Sequence, residues 1–308
     1  MKPTNKTVQL KEIINRSVWG NTYDYRDTSM TVGFKTNTYR FTEQKNPQYA
    51  FDFLKSSIFH RHDAEQLNTN EIYLDDAGIC TLSQIGKRTH ATELAIQLPP
   101  VESMQLGMSL DQVILNRRSS RNFRAELLSF KEMAQIIQVA AGITGTGDST
   151  LNNGVEVELH FRAAASAGAL YPIDLYVATQ NIEHINNGVY GYDPLANTLI
   201  PEQDADIAAR LFRDAHVNSA DANSYVKANL LLIMIANPWR SMRKYGPRGL
   251  RFILQECGSM SQNIHLAAVA QGLASVDAGG FYDEELHEIL KIDGLYQTFL
   301  HAVVVGKA

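Results

Sequence analysis

The chain has 308 residues, 44% hydrophobic and 20% charged, with a formal net charge of -5; this is a globular composition, long enough for one large domain or two small ones. The acidic balance gives no electrostatic basis for binding nucleic acid or an anionic membrane. Two cysteines far apart, Cys80 and Cys257, make neither a disulfide framework nor a zinc ribbon, and no metal site is expected.

The opening residues, MKPTNKTVQLKEIINRSVWG, lack the apolar core of a signal peptide. No apolar run approaches the roughly 18 residues of a membrane helix, so the expected setting is cytoplasmic. Residues 1–104 form a polar, aromatic region without a sustained core stripe, in which His60, His62 and Asp63 read as a surface turn. Pro99-Pro100 cannot continue a helix, which puts the boundary of the main domain at 104/105.

From Ser109 the pattern changes. Ser109 with Gln112, and Ser129 with Glu132, have the spacing of capping boxes that open helices. The second helix carries Phe130, Met133, Ile137 and Ala140 on one face and stops at Gly142. TGTGDSTLNNG reads as a loop, VEVELHFRA and IDLYVAT as strands, and GVYGYDPLANTLI as a hairpin turning at Asp193-Pro194. NLLLIMIAN is the continuous apolar run of a strand buried on both faces. The longest helix follows, with Leu250, Ile253, Leu254, Cys257, Met260, Ile264, Ala267 and Ala268 at 3-and-4 spacing and an end near Gly272. LASVDAGG and TFLHAVVVGKA supply two more strands. Helices interleaved with a mixed sheet predict an α+β domain over 105–308.

Three stretches have residue types suited to chemistry. In NRRSSRNF, Arg117, Arg118 and Arg121 stand with Ser119 and Ser120; guanidinium forks and hydroxyls suit a phosphate, or else compensate a helix dipole. In RAAASAGALYPIDLYV, the small residues Ala163 to Ala169 would let a flat ring lie close to the backbone, or form a tight turn. In DAGGFYDEEL, Gly279-Gly280 permits close backbone approach or a bend. Neither GxGxxG nor GxxxxGK[ST] is present, so no dinucleotide fold or P-loop is indicated.

Taken in order, RRSSR, SAGALYP, a Lys-Tyr pair, a long helix with ECGSMSQN, and GGF resemble the flavin-dependent nitroreductase superfamily. Within it the resemblance is to the SagB-type dehydrogenases, which oxidise azolines in ribosomally made, thiazole/oxazole-modified peptides. It covers about 105–308 and implies a nitroreductase-like, FMN-binding domain behind a variable N-terminal extension suited to peptide recognition. By position, Arg117, Arg118, Ser119 and Arg121 match the first FMN-binding segment, which holds phosphate and ribityl chain. Ser166, Ala167, Gly168 and Leu170 match the second, beside the isoalloxazine ring, and Gly279 and Gly280 the pair whose backbone meets the ring. Lys307 falls where relatives place a phosphate cation, and Arg162 matches an arginine before the second segment; Ala165 departs from the proline many relatives carry. The resemblance further implies a homodimer with FMN at its interface, and an ATP-dependent cyclodehydratase of the YcaO type as partner. The alternative is an NAD(P)H-dependent nitro- or quinone reductase of the same fold.

Lys244-Tyr245, in SMRKYGPRGLRF, matches the Lys-Tyr pair of the azoline-oxidising members. The chemistry agrees with the match. Azoline oxidation removes a hydride from one ring carbon and a proton from its neighbour, so a base is required beside the flavin. A tyrosine titrating near ~10 is a poor base at neutral pH, and a neighbouring ammonium favours its phenolate. Adjacent residues on an extended segment point apart, so the sequence predicts that Gly246-Pro247 turns the chain to bring the pair together.

Overall fold

The computed structural model describes residues 53–58, 75–84, 94–213, 216 and 219–308. The chain divides into two units between Phe59 and His60. In the first, residues 53–56 form a helical turn in which Ser57 Oγ donates to Phe53 O at 2.6 Å. The expectations for His60, His62 and Asp63 lie outside the described residues.

The second unit is built on a seven-stranded sheet. In chain order its elements are α1 (Ala77–Gln84), β1 (Ile96–Gln97), α2 (Leu110–Asn116), α3 (Phe130–Ala141), β2 (Ile143–Thr150), β3 (Glu156–Arg162), β4 (Ile173–Thr179), β5 (Gly188–Asp193), β6 (Thr198–Gln203), α4 (Ala205–Arg213), α5 (Ser219–Tyr225), β7 (Leu230–Ala236), α6 (Pro238–Tyr245), α7 (Gly249–Ala270), β8 (Leu273–Ala278), α8 (Asp283–Leu290) and β9 (Thr298–Lys307). The strand order is β1-β6-β5-β4-β7-β9-β8, and β2 and β3 form a separate ribbon. Each neighbouring pair in the sheet is antiparallel; a parallel element enters at the isolated bridge Leu128–Ile182. β1 pairs with β6 through Ile96–Leu199, so residues before position 104 supply an edge of this sheet.

Both faces of the sheet are covered. Against one, Met133 and Ile137 of α3 and Ile253, Met260 and Ile264 of α7 pack on Leu175, Leu232 and Met234. Against the other, Leu211 and Phe212 of α4 and Leu286 of α8 pack on Tyr176, Leu231, Ile233 and Val304. Every residue of β4 and β7 is buried, as the unbroken run LLLIMIA requires. Each large aliphatic side chain taken from water there contributes roughly 1.5–3 kcal/mol.

α3 begins as expected: Ser129 Oγ accepts from Glu132 N at 3.2 Å, and Glu132 Oε2 accepts from Ser129 N at 2.9 Å. It ends at Gly142. The first capping box does not form. Ser109 is the N-cap of α2 but makes no cap bond through its side chain; its hydroxyl instead lies near the Asp111 carboxyl and helps hold that group below its usual range. The stretch read as a loop, TGTGDST, is instead strand β2, paired with β3 from Ile143–Arg162 to Thr150–Glu156. Its glycines and hydroxyl side chains have turn composition, and the ladder to β3 overrides it.

Candidate active site

The segment after α2 is tied to the sheet by Ser120 N, which donates to Ser275 O on β8 at 2.9 Å. This places Arg117 and Ser119 at one wall of a cleft of about 630 Å³, whose other walls are one flank of α7 (Leu254, Gly258, Ser261, His265) and the strand residues Asp277 and His301. The other two arginines turn elsewhere. Arg118 Nη1 donates back to Leu115 O (3.1 Å) and Arg117 O (2.6 Å), and Arg121 Nε meets Asp221 Oδ1 at 2.9 Å. Lys307, expected at the same phosphate, has its ammonium 2.7 Å from Glu132 Oε1 and does not line the cleft. There it ties the end of β9 to the capping box of α3.

Asp277 is a hub in this cleft. Its Oδ1 accepts from Ser261 Oγ at 2.6 Å and from His301 Nε2 at 2.7 Å. His265 Nε2 lies 3.1 Å away, though without hydrogen-bond alignment. Burial pushes the Asp277 carboxyl up, but the bonds from Ser261 and His301, with the His265 imidazole close by, outweigh it and hold the group down at about 2. No local sequence motif announces this hub, since its members come from α7, β8 and β9.

The second segment, Ser166 to Leu170, is held in an unusual backbone. Gly168, Ala169 and Tyr171 all have positive φ (63°, 52° and 44°), a region costly for side-chain-bearing residues. Polar contacts hold it there: Ser166 Oγ accepts from Tyr171 N at 3.0 Å, Tyr171 Oη accepts from Arg162 N at 2.9 Å, and the Arg162 guanidinium sits 4.6 Å above the Tyr171 ring. Beneath the segment lies Glu256 of α7, which is 4% exposed. Burial raises its carboxyl to about 7, against the opposing effects of the Ser166 hydrogen bond and the Arg162 and Arg240 charges. Arg240 is itself 3.6 Å from Asp174 Oδ1.

Lys244 and Tyr245 meet this segment at Gly168. A Cβ there would collide with the Tyr245 hydroxyl and lie 3.0 Å from Lys244 Nζ. The pair occupies the last turn of α6, which stops at Gly246 (φ 56°), and is not extended as expected. Successive helical side chains are about 100° apart, so both can reach one spot without an added turn. Lys244 Nζ is 5.5 Å from the Tyr245 ring centroid, and Phe252 of α7 packs edge-on to that ring at 5.0 Å. Burial holds the Lys244 ammonium below its usual range, and charge on the nearby Cys80 sulfur acts the other way.

Gly279 and Gly280 follow β8 and are exposed. A Cβ at Gly279 would meet nothing within 4 Å, so no packing within the chain requires a glycine there. Phe281, next along, is buried between His216 and Phe299 at ring distances of 4.3 and 5.2 Å. Cys257 behaves as the small apolar residue expected of it, 6% exposed with Sγ 3.4 Å from Met234 Sδ.

The Arg117–Ser119 cleft and the Ser166/Lys244–Tyr245 cluster use different flanks of α7. At 100° per residue, Leu254, Gly258, Ser261 and His265 share one flank, and Phe252 and Glu256 the opposite one.

The family pattern "Nitroreductase family" matches residues 114–307, which is most of this sheet and both clusters. The chain belongs to the nitroreductase family and is an oxidoreductase of that class. Among its relatives, the MJ1384 protein of Methanocaldococcus jannaschii, named as a nitroreductase, is 34% identical over 199 residues, 65% of this chain and 90% of its own. The Escherichia coli microcin B17-processing protein McbC is 31% identical over 136 residues, 43% of this chain and 49% of McbC, so that match spans about half of the relative. A chain of the E. coli microcin synthetase McbBCD complex, solved with truncated pro-MccB17 bound, shares the fold: TM-score 0.51 and 22% identity over 87% of this chain and 96% of that one. The nitroreductase fold expected from sequence is thereby established. Among the described residues, no helix is long and apolar enough to cross a membrane.

Proposed function

We propose that the chain is an FMN-dependent dehydrogenase that oxidises thiazoline or oxazoline rings to thiazole or oxazole in a ribosomally made peptide. The observation that carries the proposal is the packing of the Lys244 ammonium and Tyr245 hydroxyl against Gly168, in the segment assigned to the flavin ring. The sequence likeness to a microcin-processing protein supports the same substrate class.

The residues present fit FMN. Arg117 and Ser119 offer a charged fork and a hydroxyl for its phosphate at one end of the cleft, with Arg118 and Arg121 on the same segment. Gly279 leaves open backbone for the ring, with exposed Gly280 beside it, and Ser166, Ala167, Gly168 and Leu170 form the second face. Because the two faces use opposite flanks of α7, one flavin touching both would draw them from two copies of the chain. A homodimer also accounts for the exposed apolar side chains Leu110 and Ile114 of α2 and Leu254 of α7.

FMN, when bound, supplies the hydride acceptor. The chain supplies the base: Tyr245 Oη takes the proton from the ring carbon next to the one that loses hydride. Lys244 holds positive charge 5.5 Å from that ring and so favours the phenolate. The substrate thus loses one hydride and one proton, and the flavin gains the electron pair. In this setting residues 1–104 recognise the peptide, and an ATP-dependent cyclodehydratase supplies the azoline, as the microcin synthetase complex bound to a truncated precursor suggests by analogy.

The test is oxidation of an azoline-containing peptide, read by mass spectrometry as loss of a hydrogen pair per ring. Tyr245→Phe should slow it about 100-fold or more, with FMN still bound, and Lys244→Met should shift its pH profile to higher pH. Full oxidation by Tyr245→Phe would overturn the base assignment. Rapid bleaching of the flavin by NAD(P)H, with no oxidation of the peptide, would leave the nitro- or quinone reductase.

A further inference from the structure

α6 is met along one face by the segment that contains Gly168. Helical residues four apart share a face and are about 6 Å apart along the axis, so Arg240 and Lys244 stand one above the other. Lys244 meets the segment at Gly168. One turn earlier, Arg240 Nη1 donates to Tyr171 O at 2.5 Å. The same guanidinium is 3.6 Å from Asp174 Oδ1, and the two side chains are only 13% and 9% exposed. The backbone from Gly168 to Tyr171 is therefore tied to α6 at both ends. Another side of the helix packs on the start of α7: a Cβ at Gly249 would come within 2.9 Å of the Ser241 backbone, and Ser241 Oγ donates to Gly249 O at 3.3 Å.

Asp174 is fixed independently of Arg240. It lies in β4 opposite Ile235 of β7, and its Oδ2 accepts from Asn237 Nδ2 at 2.9 Å. Asn237, which precedes α6, also donates through its backbone N to Pro172 O at 2.7 Å. These contacts set where α6 begins, but they lie at one end of it and leave its rotation about its own axis open. The Arg240 fork is planar and donates in more than one direction. It reaches a carbonyl of the segment and a carboxylate of the sheet at once, and so fixes the turn from which Lys244 and Tyr245 follow. The carbonyl it takes belongs to Tyr171, whose φ of 44° is unfavourable for a residue with a side chain. One group thus secures the strained backbone and the helix together.

We infer that Arg240 is a positioning residue for the proposed oxidation: paired with Asp174 and bonded to the Tyr171 carbonyl, it holds the last turn of α6 so that Tyr245 Oη and Lys244 Nζ stay against Gly168. It touches no reacting atom and acts through Tyr245, and so rests on the reading of Tyr245 as the base. Small displacements there matter, since an error of about 1 Å in the placement of a reacting group can slow a reaction about 100-fold.

Removing Arg240 alone would leave Asp174 buried and unpaired, so the test replaces both, Arg240→Gln with Asp174→Asn, in the full-length flavin-loaded protein. Azoline oxidation followed by mass spectrometry should show kcat about tenfold lower and KM within about twofold of the wild type, and flavin fluorescence should be quenched as in the wild type. In a Tyr245→Phe background the same replacement should lower kcat no further, because residues that act through one group are non-additive. Arg240→Lys keeps the charge but not the fork; it should lose about threefold, and it carries the same cycle if the paired variant does not fold or does not hold flavin. An unchanged kcat, or equal losses with and without the Tyr245 hydroxyl, would overturn this inference and leave the base assignment standing. Full oxidation by Tyr245→Phe alone would overturn the base assignment and this inference with it.

Discussion

Glu256→Gln keeps the shape and hydrogen-bonding reach of a neutral glutamic acid and abolishes its ionisation. Glu256 is 4% exposed, and burial raises its carboxyl from 4.5 to about 7, even with Arg162 and Arg240 nearby. In the unfolded chain the group titrates near its ordinary value. Between those two values the folded state therefore holds a proton that the unfolded state has released, and stability falls as pH rises. The interval from 4.5 to about 7, at about 1.4 kcal/mol per pH unit, amounts to roughly 3 kcal/mol. That contribution is fully present below about 4.5 and lost above about 7. Urea unfolding of both proteins at half-unit steps from pH 4.5 to 8 measures it. Wild-type protein should lose roughly 3 kcal/mol relative to Glu256→Gln across that range, so that the variant gains most at pH 8. Parallel stability curves would refute the reasoning, because they would mean that Glu256 is ionised in the folded protein throughout.

Gly168→Ala should destabilise by about 1 kcal/mol or more from its positive φ alone, and should displace Tyr245, whose hydroxyl occupies the space of the new methyl group; urea unfolding and azoline oxidation measure the two effects. Ser129→Ala removes the cap bond to Glu132 N and should cost about 1 kcal/mol in the same unfolding assay. Leu254→Glu, at a side chain 50% exposed on the flank of α7 that faces the cleft, should shift a homodimer to monomer in analytical ultracentrifugation. Flavin affinity should fall with it; a stable dimer that binds flavin normally would remove α7 from the interface.

How far the sequence could be read depended on the distance between partners. The helix from Ser129 to Gly142 and the strand LLLIMIA were legible because their determinants, a capping box, a stop and an apolar run, lie within a dozen residues. β2 was not, because Gly145, Gly147 and the flanking hydroxyl residues are a strand only by virtue of β3. The Ser109 box did not form, and its hydroxyl lies instead near the Asp111 carboxyl, two residues away. Of the candidate site, the short motifs were legible as residues but not as places. Arg117 and Ser119 face the cleft, whereas Arg121 and Lys307 have found acidic partners supplied by α5 and α3. Glu256 and the Asp277 hub were invisible, since Glu256 gains its character from Ser166, ninety positions upstream, and the hub from three elements.

The Lys-Tyr pair shows why such distant partners matter to chemistry. The sequence places two adjacent side chains and asks for a turn to unite them; the helix α6 unites them without one, and the positive-φ backbone of the second segment brings Gly168 up to meet both. That backbone is unfavourable by itself. It is held by Ser166, Arg162 and Tyr171, and Ser166 in turn is bonded to the buried Glu256. The position of the proposed base therefore depends on a buried carboxylic acid on another helix. Loss of the Glu256 proton should accordingly disturb the Tyr245 site as well as the fold. In Glu256→Gln, azoline oxidation should hold its rate across pH 7 after allowance for Tyr245 ionisation; a fall identical to that of the wild type would show that the two sites are uncoupled.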